Sequence, residues 1–118
     1  MGNDLIFGGK GNDSINSRED DDIVYANRND DFIDGGKDDD ILFGGKGNDI
    51  VLGSQGDDYL FGNLGFDTIC GGAGNDFISS GNEQADILGG CEGNDTIAIL
   101  NDLRNYCRGN PTPGCPDR

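Results

Sequence analysis

The sequence predicts an all-β solenoid, in which short parallel strands are stacked by a chain that coils on itself. Three observations predict it. A nine-residue unit recurs along almost the whole chain, one position in it is always aspartate, and another is always aliphatic. Units this short bury an apolar face only by stacking on their neighbours.

Gly44 to Leu52, reading GGKGNDIVL, shows the unit in full. With Gly8 as position 1, units begin at Gly8, Ser17, Ala26, Gly35, Gly44, Gly53, Gly62 and Gly71, preceded by a partial unit from Met1 to Phe7. After Ser79 the frame slips by one residue, most simply through an insertion at Ser80, and two more units begin at Gly81 and Gly90. Position 6 is Asp4, Asp13, Asp22, Asp31, Asp40, Asp49, Asp58, Asp67, Asp76, Asp86 and Asp95. Position 8 is Ile6, Ile15, Val24, Ile33, Leu42, Val51, Leu60, Ile69, Ile78, Leu88 and Ile97. With 22 glycines and a formal charge of −15 over 118 residues, the composition alone would suit a disordered linker. The fixed phase of aspartate and aliphatic residue does not.

Each unit divides into a turn and a strand. Positions 1 to 6 collect Gly, Asn and Asp, which tolerate positive φ. Position 4 is glycine in most units and Asp20, Asn29 or Asp38 in three of them, with Gln84 the poorest fit. Positions 7 to 9 are short and β-prone, as in Ile50-Val51-Leu52 and Tyr59-Leu60-Phe61.

GGKGNDSIN, GGKGNDIVL and GGAGNDFIS resemble the glycine-rich nonapeptide of the RTX, or haemolysin-type calcium-binding, family. The resemblance covers residues 1–98. It implies a right-handed parallel β-roll with two nonapeptides per coil and calcium held in the turns. Residues 1–98 are then the calcium-binding roll, and 99–118 a C-terminal cap and tail.

Elementary electrostatics points the same way. In an 18-residue coil, turns 18 residues apart stack at strand spacing, about 4.8 Å. The aspartates then form two ladders, Asp4-22-40-58-76-95 and Asp13-31-49-67-86. Carboxylates that close repel unless a cation sits between them. Ca²⁺ takes six to eight oxygens from carboxylates and backbone carbonyls, which a glycine-rich turn supplies. Five gaps on one ladder and four on the other suggest about nine calcium sites, and about +18 of cation charge against −15 leaves the filled roll near neutral. The units at Ser17, Ala26 and Gly35 exchange turn glycines for carboxylates and are expected to bind differently. The gap between Asp67 and Asp86, beside Phe66 and the irregular Asn82 to Ala85, is expected to be the weakest. With one apolar row as its core and much glycine entropy to lose, the chain is expected to fold only with its metal.

Positions 7 and 9 point outward and differ between the sheets. One sheet carries Leu5, Ile23, Ile41, Tyr59 and Phe77 at position 7, and the aromatic ladder Phe7, Tyr25, Phe43 and Phe61 at position 9. This face either docks on another surface, such as a flanking domain or a second copy, or stabilises its own strands by stacking. An adhesive or self-assembling module is therefore the alternative function.

After Ile97 the repeat stops. Asn101 is a fair N-cap for a helical turn over Asp102 to Tyr106, and a solenoid end needs covering. The four cysteines, Cys70, Cys91, Cys107 and Cys115, allow three pairings. Cys107 with Cys115, and Cys70 with Cys91, are the pairs the sequence brings near, and disulfides fit the extracellular or cell-surface setting where calcium is millimolar. Met1 falls inside a repeat, which fits a segment of a longer protein. The acidity disfavours nucleic acid and anionic membranes, and no apolar run is long enough for a membrane helix. The chain has no histidine, and every aspartate pattern belongs to the turns, so no enzyme is expected.

Overall fold

The architecture is taken from a computed structural model, which describes residues 2–79, 81, 86–98 and 106–108. Its strands are β1 (Leu5–Gly9), β2 (Ser14–Asn16), β3 (Ile23–Asn27), β4 (Phe32–Asp34), β5 (Ile41–Lys46), β6 (Ile50–Gln55), β7 (Tyr59–Leu64), β8 (Thr68–Ala73), β9 (Phe77–Ser79), β10 (Ile87–Cys91), β11 (Thr96–Ala98) and β12 (Tyr106–Arg108). Odd strands form one parallel sheet, β1-β3-β5-β7-β9-β11, and even strands the other, β12-β10-β8-β6-β4-β2. The expected β-solenoid is therefore what the chain builds. Its register steps by 18 residues, as in Ile41↔Tyr59 and Ile50↔Thr68, so one coil is two nonapeptides.

The strands of the central coils run further than positions 7 to 9. β5 to β8 have six residues each and continue through position 3, with Gly45↔Asn63 and Ser54↔Gly72 in register. The extension exists because only positions 2 and 4 leave the ordinary backbone regions: every described residue with positive φ is at one of them. Glycine or Asn fills most of these places. Arg18 (φ 83°), Ser54 (φ 79°) and Cys91 (φ 72°) do not suit them. Replacing Arg18 with glycine is expected to raise stability by about 1 kcal/mol, read from thermal melting in calcium. The converse holds at Gly65, where an added Cβ would strike the Gly47 carbonyl oxygen of the coil below.

The inside of the roll is one row wider than the sequence suggests. Position 8 is buried from Val24 to Ile97, with Ile6 and Ile15 partly covered at the first coil. Position 1 also faces inward. Ala26 is fully buried among the aliphatic residues, and Ser17 donates its hydroxyl to the Gly35 carbonyl at 2.8 Å.

Two further differences concern the ends. The inserted residue is not Ser80: Gly81 stacks on Asn63, 18 residues earlier, and both have positive φ at position 2. The frame thus runs unbroken to Gly81, and by Ile87↔Thr68 the register step is 19 residues. At the C-terminus, Tyr106 lies in β12 rather than in a helical turn, and β12 extends the even sheet through Ile87↔Tyr106. Residues 102–105 of the expected helical turn, and Cys115, lie outside the described residues. Among the described residues there is no helix, and none is long and apolar enough to cross a membrane.

Candidate metal centre

The position-6 aspartates stand where the two ladders require. In the first, the Asp4 amide donates to Asp22 Oδ1, Asp22 to Asp40, Asp40 to Asp58, Asp58 to Asp76 and Asp76 to Asp95, at 2.7–2.8 Å. In the second, Asp13 donates to Asp31, Asp31 to Asp49, Asp49 to Asp67 and Asp67 to Asp86, at 2.7–2.9 Å. Each carboxylate thus caps the turn one coil before its own. The carboxylates sit inside the roll, not along an outer edge. From Asp22 to Asp95 they are at most 3 % exposed, while Asp13 is half-buried and Asp4 exposed at the open first coil.

Capping uses only Oδ1. The second oxygen, Oδ2, of Asp13, Asp22, Asp31, Asp40, Asp49, Asp58, Asp67, Asp76 and Asp95 is buried with no hydrogen-bond donor. A carboxylate oxygen left so in a low dielectric is costly unless a proton or a cation joins it. The glycines at position 1 make room for it. A Cβ on Gly35 would lie 2.6 Å from Asp40 Oδ2 and 3.0 Å from the Gly53 carbonyl oxygen, and one on Gly53 would lie 2.5 Å from Asp58 Oδ2 and 2.6 Å from the Gly71 carbonyl oxygen. Each such point gathers acceptors from a carboxylate and from the backbone of the next coil. Among the described residues no three His, Cys, Asp or Glu side chains gather at one place. A cation here would therefore draw on a mixed set of carboxylate and carbonyl oxygens, the kind of set Ca²⁺ accepts.

The charge state reflects the burial. Desolvation pushes Asp58 up to about 8, Asp40, Asp67 and Asp76 to about 7, and Asp49 and Asp86 to about 6; Asp31 and Asp95 are raised as well. The amide hydrogen bond from the preceding coil works against desolvation in each. For most, carboxylates of the adjacent coils add repulsion, as Asp76 and Asp40 do at Asp58.

One functional row was not read from the sequence. Position 5 forms a second ladder on the outer rim, running the opposite way: its side chain accepts the amide of the next coil. Asn3 accepts from Asp21, Asp21 from Asp39, Asp39 from Asp57 and Asp57 from Asn75, at 2.8–3.0 Å. On the other edge Asn12 accepts from Asp30, Asp30 from Asn48, and Asn48 from Phe66, at 2.8–3.0 Å. The signal was present, since position 5 is Asn or Asp in nearly every unit. Phe66 has no acceptor to hand on, so this ladder breaks next to the irregular segment. In the carboxylate-rich units, Asp20, Asn29 and Asp38 add a third cap at position 4, accepting from Gly2, Gly11 and Asp20 at 2.7–3.0 Å.

The family model of the RTX calcium-binding nonapeptide repeat matches the chain in four copies, over residues 1–33, 18–51, 52–88 and 71–97. No curated protein and no solved structure gives a significant match. With the repeat matched almost from end to end and folded as a parallel β-solenoid, the chain belongs to the RTX calcium-binding nonapeptide repeat family.

Proposed function

We propose that the chain is a structural module that folds as calcium fills its turns, within a secreted or cell-surface protein. The observation that carries this reading is the row of buried Oδ2 atoms with no donor. The proposed ligands are Asp4, Asp13, Asp22, Asp31, Asp40, Asp49, Asp58, Asp67, Asp76, Asp86 and Asp95, each acting with turn carbonyls, at about nine sites. Bound calcium adds attraction where, in the metal-free roll, desolvation and repulsion outweigh the amide hydrogen bonds to the carboxylates, so binding free energy becomes folding free energy. Millimolar calcium outside cells would let such a chain stay unfolded until exported. The test is circular dichroism: a disordered spectrum in chelator and a β-rich one in millimolar calcium support the reading, and identical β-rich spectra overturn it.

Acid should act oppositely on the two forms. The folded carboxyl groups of Asp40, Asp49, Asp58, Asp67, Asp76 and Asp86 titrate at about 6 to 8, above their unfolded value of 3.8. The metal-free roll thus binds more protons than the unfolded chain between about pH 4 and 8, and loses stability as pH rises through that window. In chelator, β-signal is expected to grow as pH falls from 8 to 5. In calcium, where protons compete for the same oxygens, apparent affinity is expected to fall over that range, measured by titration at constant ionic strength.

The aromatic face supports an intramolecular role first. Phe7, Tyr25, Phe43 and Phe61 stack in sequence with centroids 4.6–5.3 Å apart and planes within 12°. Phe77 closes the stack at 6.1 Å from Phe61, in a tilted contact. Leu5, Phe7 and Tyr59 remain more than half exposed on this sheet, and they are the groups an adhesive role would use.

A further inference from the structure

One side-chain pair in the even sheet has no part in the calcium reading. Cys70, at position 9 in β8, and Cys91, at position 2 in β10, stand with their sulfurs 2.9 Å apart, both half-buried. In register Cys70 faces Gly89 and Cys91 faces Gly72, so neither has a side chain directly opposite it. The same diagonal occurs two coils earlier on this sheet. There Ser54, at position 2 in β6, donates its hydroxyl to Asp34 Oδ1, at position 9 in β4, at 2.7 Å. A side chain on the positive-φ backbone of position 2 therefore reaches back over position 9 of the preceding coil. At Cys91 that reach ends on a sulfur, and the residue keeps φ at 72° where a glycine would cost less.

We propose that Cys70 and Cys91 are a disulfide site that staples β8 to β10 across the one coil where the repeat is irregular. The span between them holds the extra residue, and Phe66 just before it breaks the position-5 ladder. Here the register between neighbouring strands widens from 18 residues to 19, as in Thr68↔Ile87, so a covalent tie fixes a register that the repeat itself does not. A small disulfide such as oxidised glutathione supplies the oxidant. One cysteine, as thiolate, attacks a glutathione sulfur; the glutathione S–S bond breaks and one glutathione leaves. The second thiolate attacks the protein-bound sulfur of the mixed disulfide, the Cys70–Cys91 bond forms, and the second glutathione leaves. The two cysteine protons end on the two glutathiones. The proposal rests on the calcium reading only in that the filled roll holds the sulfurs together.

The test uses the full chain with oxidised glutathione, in millimolar calcium and in chelator, followed by alkylation and cleavage before aspartate. Cys70 then lies in fragment 67–75, Cys91 in 86–94, and Cys107 and Cys115 share 102–116. The expected product is 67–75 joined to 86–94, formed at least about tenfold faster in calcium because folding raises the effective concentration. Oxidation should raise the melting temperature in calcium by roughly 10 °C. Cys91→Gly relieves the turn, should fold, and should show no such rise. A link from either fragment to 102–116, or full alkylation of both cysteines in a roll that circular dichroism shows to be folded, overturns the proposal. The 67–75 to 86–94 link forming equally fast in chelator supports the staple while contradicting calcium-dependent folding, so the two readings fail separately.

Discussion

Replacing Asp58 with asparagine is expected to change stability in opposite directions with and without calcium. The carbonyl oxygen of the new side chain would still accept the Asp40 amide, and the backbone amide at this position would still donate to Asp76 Oδ1, both at 2.8 Å in the parent chain. The cap survives and only the charge and the unpaired oxygen go. In chelator at neutral pH the variant should match or exceed the parent in β-signal, because burial has pushed the Asp58 carboxyl up to about 8. In calcium it should bind about two fewer ions and melt roughly 10 °C lower, since each inner aspartate borders two gaps. If Asp58 were a cap alone, asparagine would leave both the calcium count and melting in calcium unchanged. Asp4, exposed at the first coil and bordering one gap, should give a smaller effect.

The second large effect is expected from the aromatic ladder. Threonine at Tyr25, Phe43 and Phe61 keeps the high β-propensity that strands favour but removes the ring contacts running from Phe7 to Phe77. At about 0.5–1.5 kcal/mol per ring pair plus lost apolar burial, the triple variant should lose roughly 3–5 kcal/mol in calcium. Sedimentation should give the same monomer before and after the change. A parent that sediments as a dimer in calcium, with a variant that is monomeric and melts unchanged, would instead make this face an interface.

The sequence displays the parts of this fold that depend on residue type at a fixed phase. Aspartate at position 6 and an aliphatic residue at position 8 recur without exception, because a turn cap and a core residue each demand one chemistry. From them the two sheets, the 18-residue register and both carboxylate ladders were readable in advance. What was not readable depends on direction. Nothing in the letter Asp says that Oδ1 turns back to the preceding coil while Oδ2 turns inward, nor that the position-5 Asx points forward to the next. Glycine begins most units, which favours an insertion at Ser80 on sequence alone. Position 2 accepts glycine equally well, and only the stacking of Gly81 on Asn63 distinguishes the two frames. Ala26 passed as a turn residue because small size is neutral between turn and core. The helical turn expected to end at Tyr106 rested on local capping signals, whereas the open edge of β10 offers Tyr106 to Arg108 parallel strand partners.

The central claim is that cations filling the carboxylate ladders are what hold this chain folded. Its most direct test is a calcium titration of the metal-free chain, followed by calorimetry and circular dichroism on the same samples. The account predicts a cooperative rise in β-signal that tracks the heat of binding and saturates at about nine ions per chain. A β-signal already complete before calcium is added, or heats that saturate with no change in the spectrum, would contradict it.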